Sequence, residues 1–90
     1  MPNDWTDPPP QFRYILFHKT DPAANQYKFY YIAYLENLWG KNCVLRLYGR
    51  RGGSQRSRMT PVESLETAWP LIRQHIRRRL SHGYELIDSG

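Results

Sequence analysis

The hydrophobic period of this chain changes once, near residue 60, and that change limits what it can fold into. Before it, apolar residues alternate with a period of two, as in half-buried strands. Residues 43–50, CVLRLYGR, place Cys43, Leu45 and Leu47 on one face and Val44, Arg46, Tyr48 and Arg50 on the other. Gly52-Gly53 suits a hairpin turn. A returning strand at about 55–60 then sets Arg56, Arg58 and Thr60 against Gln55, Ser57 and Met59. Residues 11–19 and 28–36 are two earlier strands, rich in aromatic and branched types. A loop at 20–27 and a turn from Asn37 to Asn42, braced by Trp39, connect them.

After the change the period is helical. Leu65, Ala68, Trp69, Ile72, Ile76 and Leu80 form one apolar stripe, with Arg73, Arg77, Arg78 and Arg79 mostly off it. Ser64 and Thr67 are alternative N-caps: the first places Pro70 inside the helix, the second places it in the first turn. Gly83 marks the helix end, and Tyr84 to Ile87 can add a short strand. The chain is therefore expected to be α+β, an antiparallel sheet of four to five strands with one long helix packed across one face. Leu45, Leu47 and Met59 are expected under that helix with Leu65, Trp69, Ile72 and Ile76, and Cys43 as an inert core thiol. The arginine-bearing face of the same strands is expected to point the other way.

Ninety residues make one domain. Its expected bounds are 11–88, after a flexible proline-rich tail at 1–10 that contains Pro8 to Pro10 and Trp5, a residue with no inferred role. The single cysteine excludes an internal disulfide and fits a reducing compartment. No stretch reads as a signal peptide or a bilayer span, so a cytoplasmic protein without membrane contact is expected. His18, His75 and His82 are scattered and lack zinc-ligand spacing, and the acids are dispersed. No metal, no cofactor and no catalytic centre are expected.

The net charge of +5 is unevenly placed. Up to residue 45 four cations balance four acids, whereas from residue 46 nine arginines face Glu63, Glu66, Glu85 and Asp88. Arginine pairs bidentately with phosphate and stacks on aromatic and base faces. Arg46, Tyr48, Arg50, Arg51, Arg56 and Arg58 are the candidate nucleic-acid-binding residues: a basic patch around one aromatic ring. The run Arg77 to Arg79 reads as a solvated helix end favoured by the helix dipole.

Several pieces occur in a fixed order: Asp21-Pro22, Asn25, Phe29-Tyr30, Leu38-Trp39-Gly40, Leu47 to Gly52, Ala68 and Gly83-Tyr84. Together they resemble the WGR domain, in particular small free-standing bacterial WGR proteins. The name-giving Trp is Tyr48 here. The resemblance implies an antiparallel sheet with a long helix across it. In poly(ADP-ribose) polymerases this domain contacts DNA at a break: the motif Trp packs on the terminal nucleotide, and the motif Arg links DNA to neighbouring domains. Those roles would fall to Tyr48 and Arg50. The polymerase activity belongs to a catalytic domain without counterpart in these residues. The expected function is a small non-catalytic module that binds nucleic acid, DNA in particular. The alternative is a protein-interaction adaptor that turns the same basic surface to an acidic partner.

Overall fold

The computed structural model describes residues 5–36 and 39–90. Strands β1 (Tyr14–Asp21), β2 (Gln26–Glu36), β3 (Asn42–Arg50) and β4 (Gln55–Val62) precede helix α1 (Leu65–Ser81) and strand β5 (Glu85–Ser89). They form one antiparallel sheet in the order β4-β3-β2-β1-β5, with α1 across one face. The α+β architecture expected from the sequence is thus the one observed. Asn37 and Leu38, part of the expected turn, lie outside the described residues, as do residues 1–4 of the expected tail.

The core lies between α1 and one face of the sheet. Ile15, Phe17, Tyr30, Ile32 and Val44 supply the sheet side; Ala68, Trp69, Ile72 and Ile76 supply the helix side. This corrects the expected orientation of β3 and β4. Val44 is fully buried, whereas Leu45 and Leu47 are half-buried and Met59 is 65% exposed, all on the face away from α1. Cys43 shares that far face and is half-buried rather than a core thiol. The cause is register. Ile15 sits opposite Ile32, and Phe17 opposite Tyr30. Ile32 in turn sits opposite Arg46, and Tyr34 opposite Val44. The helix covers the face that carries Ile15, Phe17, Tyr30 and Ile32, and β3 must follow its neighbours in register.

Ser64 is the N-cap. Its hydroxyl accepts from the Thr67 amide, and the Thr67 hydroxyl accepts from the Ser64 amide, so a capping box closes the helix start. Pro70 therefore lies within α1. Its missing N–H removes the bond that would reach the Glu66 carbonyl, one turn inside the helix. Among the residues expected to form a tail, Trp5 is buried, and its carbonyl accepts from Trp69 Nε1 at 2.8 Å. Phe12 meets the Trp69 ring edge-on, with centroids 5.3 Å apart. The segment from Trp5 to Phe12 is thereby tied to the first half of α1. Among the described residues no helix is long and apolar enough to cross a membrane, and no cluster of three or more His, Cys, Asp or Glu could hold a metal ion.

Candidate functional site

All the charged side chains of β2, β3 and β4 share the helix-bearing side of the sheet. Lys28 lies opposite Arg50, and Ile32 opposite Arg46. Arg46 lies opposite Arg58, and Tyr48 opposite Arg56. The expected grouping of Arg46, Tyr48, Arg50, Arg56 and Arg58 on one face is therefore present, on the face that also carries the core. Like charges directly opposite one another destabilise a sheet. Among the described residues no carboxylate neutralises these arginines; Arg46 donates instead to the Tyr30 hydroxyl at 3.1 Å, and Arg50 to Asn25 Oδ1 at 3.4 Å.

Between the C-terminal turn of α1 and the far ends of β2, β3 and β4 lies a cleft of about 580 Å³. Its cations are Lys28, Arg50, Arg56 and Arg79, and its aromatic rings are Tyr30, Tyr48 and Tyr84; among the described residues no carboxylate lines it. The rings are arranged around Tyr30. Tyr48 stacks on it at 5.2 Å between centroids and 13° between planes, and Tyr84 meets it edge-on at 6.4 Å. The Arg79 guanidinium lies 4.5 Å from the Tyr30 centroid and 5.4 Å from that of Tyr84, within cation–π range of both.

Arg79 is the residue that sequence reasoning passed over, because it belongs to a run that looks like a solvated helix end. Arg77 and Arg78 are exposed, but Arg79 turns inward. The signal was the neighbouring Gly83-Tyr84. Gly83, at φ +86°, closes a Schellman motif in which its amide bonds the Leu80 carbonyl and the Tyr84 amide bonds the Arg79 carbonyl. That closure brings the Tyr84 ring back beside Arg79.

Arg51 departs from the patch. Its guanidinium donates to Thr20 Oγ1 and to His18 Nδ1, and lies over the Tyr27 ring at 5.6 Å. An arginine offers only donors, so the His18 nitrogen accepts and the ring is neutral on that side. Burial, and secondarily the Arg51 charge, hold the His18 pKa below its ordinary value. Arg51 thus fastens the end of β3 to β1.

These elements and motif residues have the order of a known domain, and the WGR domain family matches residues 14–90. The chain belongs to the WGR domain family. Neither the curated proteins nor the solved structures contain a match to it. WGR domains are a binding-domain family of the nucleic-acid-binding type. The motif residues of this WGR domain have local physical roles. Asp21 caps a single 3-10 turn, Pro22–Ala24, by accepting from the Ala24 amide at 3.3 Å. Asn25 closes that turn in the left-handed region at φ 54°, which Asn tolerates better than most residues, and reaches Arg50. The Asp-Pro…Asn piece and the Tyr-Gly-Arg piece therefore meet at one side chain.

His75 lies under this WGR cleft, buried, with its Nδ1 lacking a hydrogen-bond partner among the described residues. Burial first, then the charges of Arg46, Arg78 and Arg79, lower its pKa to about 4. Between that value and the unfolded value near 6.5 the unfolded chain binds a proton that the folded chain refuses, so stability rises with pH across this window. Acidification from about pH 6.5 to 4 should accordingly remove on the order of 2 kcal/mol through His75. Urea titrations of the wild type and of His75→Phe at several pH values check this. The variant should lose that part of the slope; an identical slope in both would show that His75 does not carry it.

Proposed function

We propose that this WGR domain binds nucleic acid, DNA in particular, by laying a strand end or single strand in the cleft between α1 and the β3–β4 hairpin. The observation that carries the reading is the lining of that cleft, four cations and three tyrosine rings without a carboxylate among the described residues. Such a surface favours a polyanion with flat apolar parts. Lys28, Arg50 and Arg56 neutralise phosphates, and Arg58 extends the basic track along β4. Tyr48 packs on a sugar or base, its other side being supported by Tyr30. Arg46 and Arg51 hold this arrangement from within: Arg46 through the Tyr30 hydroxyl, Arg51 through Thr20 and His18.

Anisotropy titrations of labelled blunt, nicked and single-stranded DNA and matched RNA, each at several salt concentrations, test the reading. Arg50→Ala and Arg56→Ala should each weaken binding and flatten the dependence of log K on log salt by about one unit if each meets one phosphate. Tyr48→Ala should lose roughly 1–3 kcal/mol if a base stacks there, and Tyr48→Trp should keep or strengthen binding. Absence of binding to every probe at low salt would overturn the proposal. A complex with an acidic protein that survives nuclease treatment would then favour the adaptor reading.

A further inference from the structure

The face of the sheet away from α1 carries no charge on its three neighbouring strands β2, β3 and β4. Alternation places Tyr27, Phe29, Tyr31, Ala33 and Leu35 there from β2, Cys43, Leu45, Leu47 and Gly49 from β3, and Gln55, Ser57, Met59 and Pro61 from β4. Tyr14 and Leu16 continue the surface on β1, where Tyr14 stacks on Tyr31 at 5.8 Å. Charge on this side lies at its margins: at the β5 edge, where Glu85 lies opposite His18 and Asp88 accepts from the Tyr14 hydroxyl at 2.9 Å, and just past the end of β3, where the Arg51 guanidinium is held by His18, Thr20 and the Tyr27 ring. Most of these side chains are half-buried by one another, and Met59 and Leu35 are exposed.

We propose that this face is the contact surface between two copies of the chain, packed sheet on sheet with the α1 sides outward. Charge selects the occupant. Two chains of net charge +5 repel each other through any surface that carries their arginines. The Leu45–Leu47–Met59 face largely escapes this: Lys28, Arg46, Arg50, Arg56 and Arg58 all point to the opposite side, and Arg51 is half-buried at its margin among His18, Thr20 and Tyr27. Size agrees. Four strands, β1 to β4, about 4.8 Å apart and eight residues long, cover on the order of 500 Å² in projection, and side chains standing out of that plane expose more. That is near the roughly 800 Å² of accessible surface that each partner buries in a standard interface. Chemistry agrees as well, since leucine, tyrosine, phenylalanine and methionine suit the inner layer of an aligned sandwich with sheets about 10 Å apart. Both helix-side clefts remain open in such a pair.

Sedimentation equilibrium of the intact chain, without nucleic acid, from about 1 to 500 μM tests the proposal. The expected result is a concentration-dependent dimer. Met59→Glu should weaken association at least about tenfold, because it brings a charge into the dry layer. Met59 is 65% exposed in the single chain, so this change should leave the thermal unfolding midpoint nearly unchanged. Arg77→Glu, on the exposed side of α1, should leave association unaltered. A monomer throughout that range would overturn the proposal, even one that binds an apolar dye on this face. A dimer insensitive to Met59→Glu would overturn it equally, since association would then use another surface.

Discussion

Trp69→Ala should lower the free energy of unfolding by about 3–5 kcal/mol, the range for truncating a large buried aromatic. A domain of this length has only about 5–13 kcal/mol in total. Three losses coincide at this position. The side chain is 3% exposed and belongs to the core cluster between α1 and the sheet, so its removal leaves a cavity there that a packed core refills only in part. The edge-on contact with Phe12 disappears. The Trp5 carbonyl loses the indole donor that ties the N-terminal segment down. Trp69→Phe should be milder, since it keeps most of the ring and loses chiefly the hydrogen bond. Urea unfolding followed by circular dichroism measures both; an unchanged midpoint for Trp69→Ala would show that the core is not organised around this residue.

Gly49→Ala is expected to be the most damaging single-methyl change, at about 2–4 kcal/mol when the strained backbone and the overpacking are combined. Gly49 sits at φ +154°, and a Cβ there would lie 2.2 Å from the Ser54 carbonyl oxygen and 3.1 Å from Gln55 Cα. Both are backbone atoms of the facing chain, so relief requires the β3–β4 pair to separate where Arg50 donates its amide to Ser54. The cleft should fail with the hairpin, although no cation or ring has been removed. Gly40→Ala is the control. Its φ is +71°, but nothing lies within 4 Å of the added carbon, so only the backbone strain remains, about 1 kcal/mol. Comparing the unfolding of the two variants, with binding measured in parallel, separates contact from conformation. Equal and small effects would show that the hairpin tolerates a side chain at Gly49.

The elements were legible in the sequence because period two and period 3.6 are properties of single segments. So was the company of Arg46, Tyr48, Arg50, Arg56 and Arg58, since a Gly-Gly turn leaves little freedom in how β3 meets β4. The face taken by the helix was not legible. Within β3 alone, Cys43, Leu45 and Leu47 look more apolar than Val44, Arg46 and Tyr48. The helix side is shared with Ile15 and Phe17 on β1 and Ile32 on β2, and it reaches β3 only through cross-strand register that no single segment encodes. Arg79 was hidden for a related reason. Its inward turn depends on Tyr30 and Tyr84, which are distant from each other in sequence and adjacent only in the folded sheet. The choice between Ser64 and Thr67 as helix start rested on the expected penalty of Pro70, and the capping box outweighed it.

The strand order also has a temporal side. β1 through β4 can zip up as neighbours along the chain, but β5 follows the helix and must travel back to the outer edge of β1, where Leu86 comes to lie opposite Phe17. Until it arrives, one row of β1 amides and carbonyls has no sheet partner, and the edge of a hydrophobic strand is open to any extended chain that meets it. During vectorial synthesis that interval lasts until the ribosome has released the segment Glu85–Ser89. The last strand is thus also a closure, and the nascent domain is most exposed to mispairing just before it.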